Sequence, residues 1–537
     1  MADLEEKIAT EFLRTAVIID DKAAMSSVAE VVDDLQEAGM ELVDEDEPLE
    51  VIPVEGAGPR DVTDGNLDVQ AVVGAYLKLG IMCGVFQPPE DISPEKLIEE
   101  TTDAVVNADI VILDWFLKPN DETLILKLLE KIFELDQAQN GRLRSVIIYT
   151  DNPKLAECVN ATKEALEAYG LEDEEGDPYS LMGDGVRVKF FNKQGSLGPA
   201  PISEAALPAE TVKEFVKLTR GLMPTLALSA VNSLRKNTHH LLSVFKNSLD
   251  PALVGHRLLL DDSDDVMGFG FDVLTQQLRA ILATDRIHHA CLSEERFTAW
   301  FDTKYGTLGE EGALKGVVPL ELVRKGLSEG LDEVRQKYNA KHNVSKGIFP
   351  RQAHKRLFDE DTAKEESTTN ILGRLSKLSR EADGFHSLPQ GWRPTLSMGS
   401  VVKSRGNYYF CAMPVCDAVR ITGSRYFPLL RLEACTGGNT NAFRIYLKDG
   451  DESLKLKLSV GAEHNQYEKF LANPKHQRVL GVLKKETGQY VFRTTDDAEY
   501  IWIADVDPMH AHRIAAEANT KLTRIGVDEF EWLRRGF

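Results

Sequence analysis

Four short apolar runs in the first 200 residues each deliver a polar residue of a particular kind at or just past the end of the run. They are TAVIIDD with Asp20 and Asp21, ADIVILDWFLKP with Asp114, SVIIYTDNP with Thr150, and VRVKFFNKQGS with Lys193. Such runs read as strands buried on both faces, and the segments between them carry apolar residues at helical spacing. AAMSSVAEVVDDLQEAG, VQAVVGAYLKLG, PEKLIEETTDAVVNA, ETLILKLLEKIFELD and PKLAECVNATKEALEAYG are helical by this criterion, and IMCGVF reads as an extra buried strand. Strands alternating with helices specify an α/β domain built on a doubly wound parallel sheet. The carboxyl ends of its strands form the ligand crevice, so the four polar ends are expected to meet there.

The set that would meet is an acid cluster, a hydroxyl and a lysine. Carboxylate oxygens suit a hard divalent cation such as Mg²⁺, and a bound cation would let Asp114 accept a phosphoryl group without severe charge repulsion. Asp and Thr also end buried strands simply by capping the next helix or turn. That role accounts for one such residue, not for four in this order.

An acidic pair, a single Asp, a Thr and a Lys on successive strands resemble the receiver domain of two-component response regulators, which has a flavodoxin-like fold. The resemblance covers roughly residues 1–200. It implies that Asp20 and Asp21 hold Mg²⁺ together with Asp114 and the backbone carbonyl of Phe116. It further implies that Asp114 takes phosphate from the phosphohistidine of a sensor histidine kinase, that Thr150 bonds the phosphoryl group, that Lys193 neutralises it, and that Phe190 is the switch aromatic. Gln194 stands where the family carries a proline after the lysine. Two acidic insertions also depart from a compact receiver, DEDEPLEVIPVEGAGPRDVTDGN before Asp114 and LEDEEGDPYSLMGDG before the last strand. The Asp44 to Glu47 and Glu172 to Glu175 runs inside them read as solvated loop charge.

At 537 residues the chain exceeds a single core and suggests about three domains. The expected division is an atypical receiver over 1–200, a mostly helical domain over 209–385 and a β-rich domain over 386–537. The net charge of −24 opposes attraction to a polyanion, so nucleic acid is not an expected partner. Six scattered cysteines suggest no disulfide framework, no apolar stretch reaches the length of a membrane span, and the acidic amphipathic N-terminus has no signal-peptide pattern. A reducing cytoplasm is the expected compartment. GLMPTLALSAV, near 221–231, reads as a buried helical segment kinked or broken by Pro224.

The helical stretch contains two histidine pairs, His239 with His240 and His288 with His289, in ordinary packing or surface contexts. The last region alternates β-formers between NT, DG and GG turn signals, as in an antiparallel sheet or small barrel, and ends in a helix from about Pro508 to Asn519 followed by VDEFEWLRRGF. Cys411, Cys416 and Cys435 lack the spacing of a zinc site, and Cys416 beside Asp417 lacks an identifiable base. No phosphate loop, nucleophile elbow or zinc-protease motif stands in the region. An extended receiver with such a partner region is similar to proteins of the two-component-like antiphage defence systems called Detocs. That resemblance implies a phosphate buffer that competes with a co-encoded effector receiver protein for the kinase. The other readings are a response regulator with an unrecognised effector enzyme, acting for example on nucleotides, and an adaptor that binds a partner on phosphorylation.

Overall fold

The computed structural model describes residues 2–24, 66–89, 91–118, 121–139, 141–183, 185–260, 263–306, 313–314, 318–341, 362–385, 388–435, 444–459 and 464–522. The chain divides into two compact units. Unit one comprises Met1–Leu249, Phe271–Gly312 and Leu320–Val334, and unit two comprises Asp250–Gly270, Ala313–Pro319 and Arg335–Phe537.

Unit one is built on five parallel strands, β1 (Thr15–Ile19), β2 (Met82–Phe86), β3 (Ile110–Leu113), β4 (Arg144–Thr150) and β5 (Val186–Lys193). Their spatial order is β2-β1-β3-β4-β5, a doubly wound order whose topological switch lies between β1 and β3. Alternation along the buried strands feeds two cores. Val111, Leu113, Val146, Ile148, Val188 and Phe190 pack under the helices Pro94–Asn107, Thr123–Ala138 and Leu155–Ala165. Ile110, Ile112, Ile147, Tyr149 and Phe191 pack against Ala2–Phe12, Val69–Lys78 and Leu207–Leu218.

With Ile81 just before it in the core, Met82–Phe86 of IMCGVF form β2, which is half-buried rather than buried. It has one neighbour, β1, and Met82 is largely exposed, because the strand closes one edge of the sheet. The predicted helix AAMSSVAEVVDDLQEAG and the first acidic insertion lie almost wholly outside the described residues.

The second acidic insertion is a hairpin rather than a loop, although Glu172, Asp173 and Glu175 are exposed as expected. Glu172–Glu174 and Asp177–Met182 form a hairpin whose second strand pairs antiparallel with β5 and covers that edge. Gly176, at φ +85°, permits the tight turn. The physical reason lies in β5 itself, where Arg187 and Lys189 alternate with Val188 and cannot be buried alone. Arg187 is completely buried and pairs with Glu174, with Asp177 at 3.1 Å and with Glu214 at 2.7 Å, while Lys189 reaches Asp177 at 2.6 Å. Lys217 completes the network 2.8 Å from Glu214, so three cations meet three carboxylates.

Pro224 neither kinks nor breaks a helix. The helix Leu222–Lys236 starts just before it, where a proline costs nothing because its N–H would have no intrahelical partner. Nor is this helix wholly buried, since Met223 and Val231 are exposed. It packs on the N-terminal helix, with Asn232 Nδ2 donating to the Ile8 carbonyl at 3.0 Å and Lys236 2.7 Å from Glu11. Thr238–Val244, Ile287–Cys291, Glu294–Tyr305 and Leu320–Glu329 continue the helical middle of the chain.

Unit two carries an antiparallel sheet, with Ser424–Ala434, Asn407–Cys411, Ser400–Ser404 and Glu499–Val506 adjacent at its centre. One face buries Trp502, Phe427 and Phe470, and the other packs Val401, Phe410 and Ile503 under Ala511 and Ile514 of the helix Pro508–Leu522. The helix Thr362–Lys377 and the strand Leu378–Glu381, both before residue 386, belong to this unit. Asn370 Nδ2 donates to the Leu447 carbonyl at 3.2 Å, and Leu378–Glu381 pairs with Glu499–Val506. VDEFEWLRRGF lies outside the described residues.

Candidate functional site

β1 ends at Ile19, so the next two residues, Asp20 and Asp21, stand at the mouth of the sheet. The amide of Asp20 continues the pairing to the Phe86 carbonyl at 3.2 Å, and the amide of Asp114 continues it to the Ile19 carbonyl at 3.0 Å. These bonds hold the two acids side by side. Carboxylate oxygens of Asp20, Asp21 and Asp114 all lie within 4.8 Å of one another. Lys193, at the end of β5, places its ammonium 2.6 Å from Asp114 Oδ2 and 2.7 Å from Asp20 Oδ2, and all three side chains are buried.

Three carboxylates around one ammonium leave negative charge uncompensated in a dry setting. Burial is the main force on Asp20 and raises its carboxyl to about 6; Lys193 opposes the rise and Asp114 adds to it. Asp21 is raised as well, by burial and then by Asp114. For Lys193, burial works against the charged form, but Asp114 and Asp20 outweigh it and its pKa is raised. Asp21 Oδ1 is buried without a hydrogen-bond donor. An acceptor oxygen in that position, beside two further carboxylates, is what a hard divalent cation coordinates.

The remaining expected residues are placed unequally. Phe116 touches the cluster through its amide, 3.5 Å from Asp114 Oδ1, at the long limit of a hydrogen bond. Thr150 is buried at the end of β4, but its hydroxyl accepts from the Asn152 amide at 3.2 Å and so bonds within its own turn. Phe190 is fully buried in the core shared with Leu97 and Phe133.

Residues 12–197 match the family model of the response receiver domain. This segment is a receiver domain. The comparisons with curated proteins and with solved structures gave no match.

The receiver contains positioning groups beyond those expected from its sequence. Asn192, fully buried one residue before the lysine, donates to the carbonyls of Thr150 at 3.4 Å and Asn152 at 2.8 Å and accepts from the Ala200 amide at 3.2 Å. It ties the loop after β4 to the loop after β5. Gly198 lies against this amide, where a Cβ would overlap it. Downstream of Gln194, Pro201–Ile202 pairs in parallel with Asn192–Lys193, and Ser196 N–H closes a turn onto the Lys193 carbonyl at 3.1 Å. A buried amide must be hydrogen-bonded, so an Asn inside the run VRVKFFNK was the signal available in the sequence.

Lys22 is the second such group. Its amide donates to Asp20 Oδ1 at 2.8 Å, and its half-exposed ammonium pairs with Asp151 at 2.8 Å, linking the loops after β1 and β4. The hydrogen bond to Asp151 raises its pKa, so it stays charged at the rim. Gln87 donates to the Asp21 carbonyl at 2.9 Å and steadies the same loop from β2. Among the described residues, Asp20, Asp21 and Asp114 form the one group of three potential metal ligands, and all six cysteines are free.

Proposed function

We propose that Asp114 accepts a phosphoryl group from the phosphohistidine of a sensor kinase in a Mg²⁺-dependent reaction. The observation that carries this reading is the convergence of Asp20, Asp21, Asp114 and Lys193 at the strand ends of a receiver domain. Asp20, Asp21 and Asp114 would hold the ion, with the Phe116 carbonyl as a backbone ligand. When bound, the ion supplies charge neutralisation at the acceptor oxygen and the incoming phosphoryl group. Asp114 presents a carboxylate oxygen as nucleophile. Lys193 shares a proton-rich ammonium between Asp114 and Asp20, and it would follow the charge that a phosphoryl group adds, about −1.5 to −2. Thr150, now bonded within its turn, would reorient its hydroxyl toward the phosphoryl oxygens, and Phe190 would repack with that movement. Asn192 and Lys22 keep the three loops in register.

The finer reading is that the chain buffers phosphate in a Detocs-like antiphage system, draining the kinase in competition with a co-encoded effector receiver. Its support is the sequence resemblance. A phosphorylation-dependent adaptor is the second reading, and the exposed apolar side chains of the helices Asp250–Leu258 and Ser263–Thr284 favour it. The division into a receiver over 1–200, a helical region over 209–385 and a β-rich region over 386–537 remains our functional outline of the chain.

The pH profile of phosphorylation tests the proposed site. A proton on Asp20 competes with the metal, and the Asp20 carboxyl is raised to about 6. At limiting Mg²⁺ the labelling rate should therefore fall to half near pH 6, and the midpoint should move lower as Mg²⁺ increases. A midpoint independent of Mg²⁺ would show that Asp20 is not a ligand.

A further inference from the structure

Lys22 and Asp151 each stand next in sequence to a residue of the site, Lys22 after Asp21 and Asp151 after Thr150. The sheet order places β3 between β1 and β4. An ion pair from the loop after β1 to the loop after β4 therefore passes the end of β3, where Asp114 stands. The side chains of Lys22 and Asp151 make that bridge at 2.8 Å and remain 41% and 34% exposed, whereas those of Asp114 and Lys193 are 2% exposed. The pair is thus the outer part of the site. Its root is fixed, because the Lys22 amide donates to Asp20 Oδ1 at 2.8 Å, but the four-carbon stem can turn about that root. Asp151 dominates the electrostatics of the ammonium, and Lys193 and Asp114 are near enough to act on it as well.

We propose that Lys22 is a second phosphoryl-binding cation, held by Asp151 and given up to the phosphoryl oxygens when Asp114 is modified. The inference rests on Asp114 being the phosphoacceptor. A phosphoryl group there adds about −1.5 to −2 of charge and three acceptor oxygens, against the single charge of Asp151. Lys193 is already shared between Asp114 and Asp20, at 2.6 and 2.7 Å, inside the buried cluster. Lys22 is the cation whose present partner is easily exchanged, since a half-exposed ion pair is weak and a charge-assisted hydrogen bond to phosphate is strong. Asp151 is then a competitor for the ammonium rather than a strut between loops. The exchange asks nothing of the strand ends, because the ammonium moves on its own side chain between two anions that border one crevice.

The test is the affinity of the full chain for beryllofluoride, a stable analogue of the phosphoryl group, measured with Mg²⁺ by titration calorimetry. Lys22→Gln should weaken binding about tenfold, the scale of one charge-assisted hydrogen bond. Asp151→Asn should tighten it about threefold, because no ion pair has to be broken first. The double variant should bind as Lys22→Gln does, since Asp151 acts only through Lys22. Full affinity in Lys22→Gln overturns the proposal, and so does a loss of affinity in both single variants, the mark of a structural strut. A tightening by Asp151→Asn that persists in the Lys22→Gln background overturns it as well, because it would report only a charge removed at a distance. Asp114→Asn separates these results from the underlying reading. Binding that survives this substitution, or a natural chain that does not bind, overturns the phosphoacceptor assignment and the exchange with it.

Discussion

Replacing Arg187 with methionine should destabilise the receiver by about 3–5 kcal/mol, the scale for removing one partner from a buried ionic network. The guanidinium is fully buried among Glu174, Asp177 and Glu214, and its loss would leave these carboxylates facing Lys189 and Lys217 alone. Methionine fills similar volume, so the effect reads charge rather than a cavity. The hairpin Glu172–Met182 should detach first, since Arg187 joins it to β5 and to the helix Leu207–Leu218. Burial opposes the charged forms of Glu174 and Asp177, but their hydrogen bonds, from Ser180 and Arg187 and from Lys189, win and lower both pKa values. Carboxylates lowered on folding contribute stability above their unfolded values of 4.5 and 3.8, and lose it as pH falls through the folded ones. The deficit of Arg187→Met relative to the natural chain should therefore be largest near neutrality and shrink in acid. Urea denaturation at several pH values checks this. A loss under about 1 kcal/mol at pH 7, the scale of a surface pair, would mean that the network is not load sharing in the way described.

In cells carrying the whole system and no phage, Asp114→Asn should slow growth or kill. If this chain drains stray phosphate, removing its acceptor leaves the co-encoded effector receiver as the only sink for the kinase. A second substitution at the effector's own acceptor aspartate should restore growth. An output regulator predicts the reverse, because losing its phosphate would silence the response and leave uninfected cells healthy. Normal growth of the single variant together with loss of phage protection would reject the buffer role and direct attention to residues 209–537.

The site was legible in the sequence because buried parallel strands are nearly continuous apolar runs, so the first charged residue beyond each run marks the crevice. Asp20, Asp21, Asp114 and Lys193 were found in this way, and they lie together. Thr150 was legible as a position but not as a contact, since a hydroxyl rotates to the nearest donor and here that donor is the Asn152 amide. The hairpin Glu172–Met182 is not legible, because an acidic run resembles solvated loop charge until its partners are known. Those partners were in view, as Arg187 and Lys189 alternate within an otherwise apolar strand and require acids on the next one. The tie made by Asn192 is illegible for a similar reason. Its role depends on two loop carbonyls and one loop amide that no local pattern brings together. In the C-terminal region strand content was readable from β-formers and turn signals. The inclusion of Thr362–Lys377 and Leu378–Glu381 in that unit was not, because a helix carries no local sign of which sheet it will pack on.

The most direct test of the phosphoacceptor site is transfer of labelled phosphate from the autophosphorylated partner kinase to the natural chain and to Asp114→Asn, each with Mg²⁺ and with excess EDTA. Labelling of the natural chain is expected with Mg²⁺ only, and none of Asp114→Asn under either condition. Undiminished labelling of the natural chain in EDTA, or of Asp114→Asn with Mg²⁺, would contradict it and place the acceptor elsewhere, with the exposed His239 and His240 the next to be replaced.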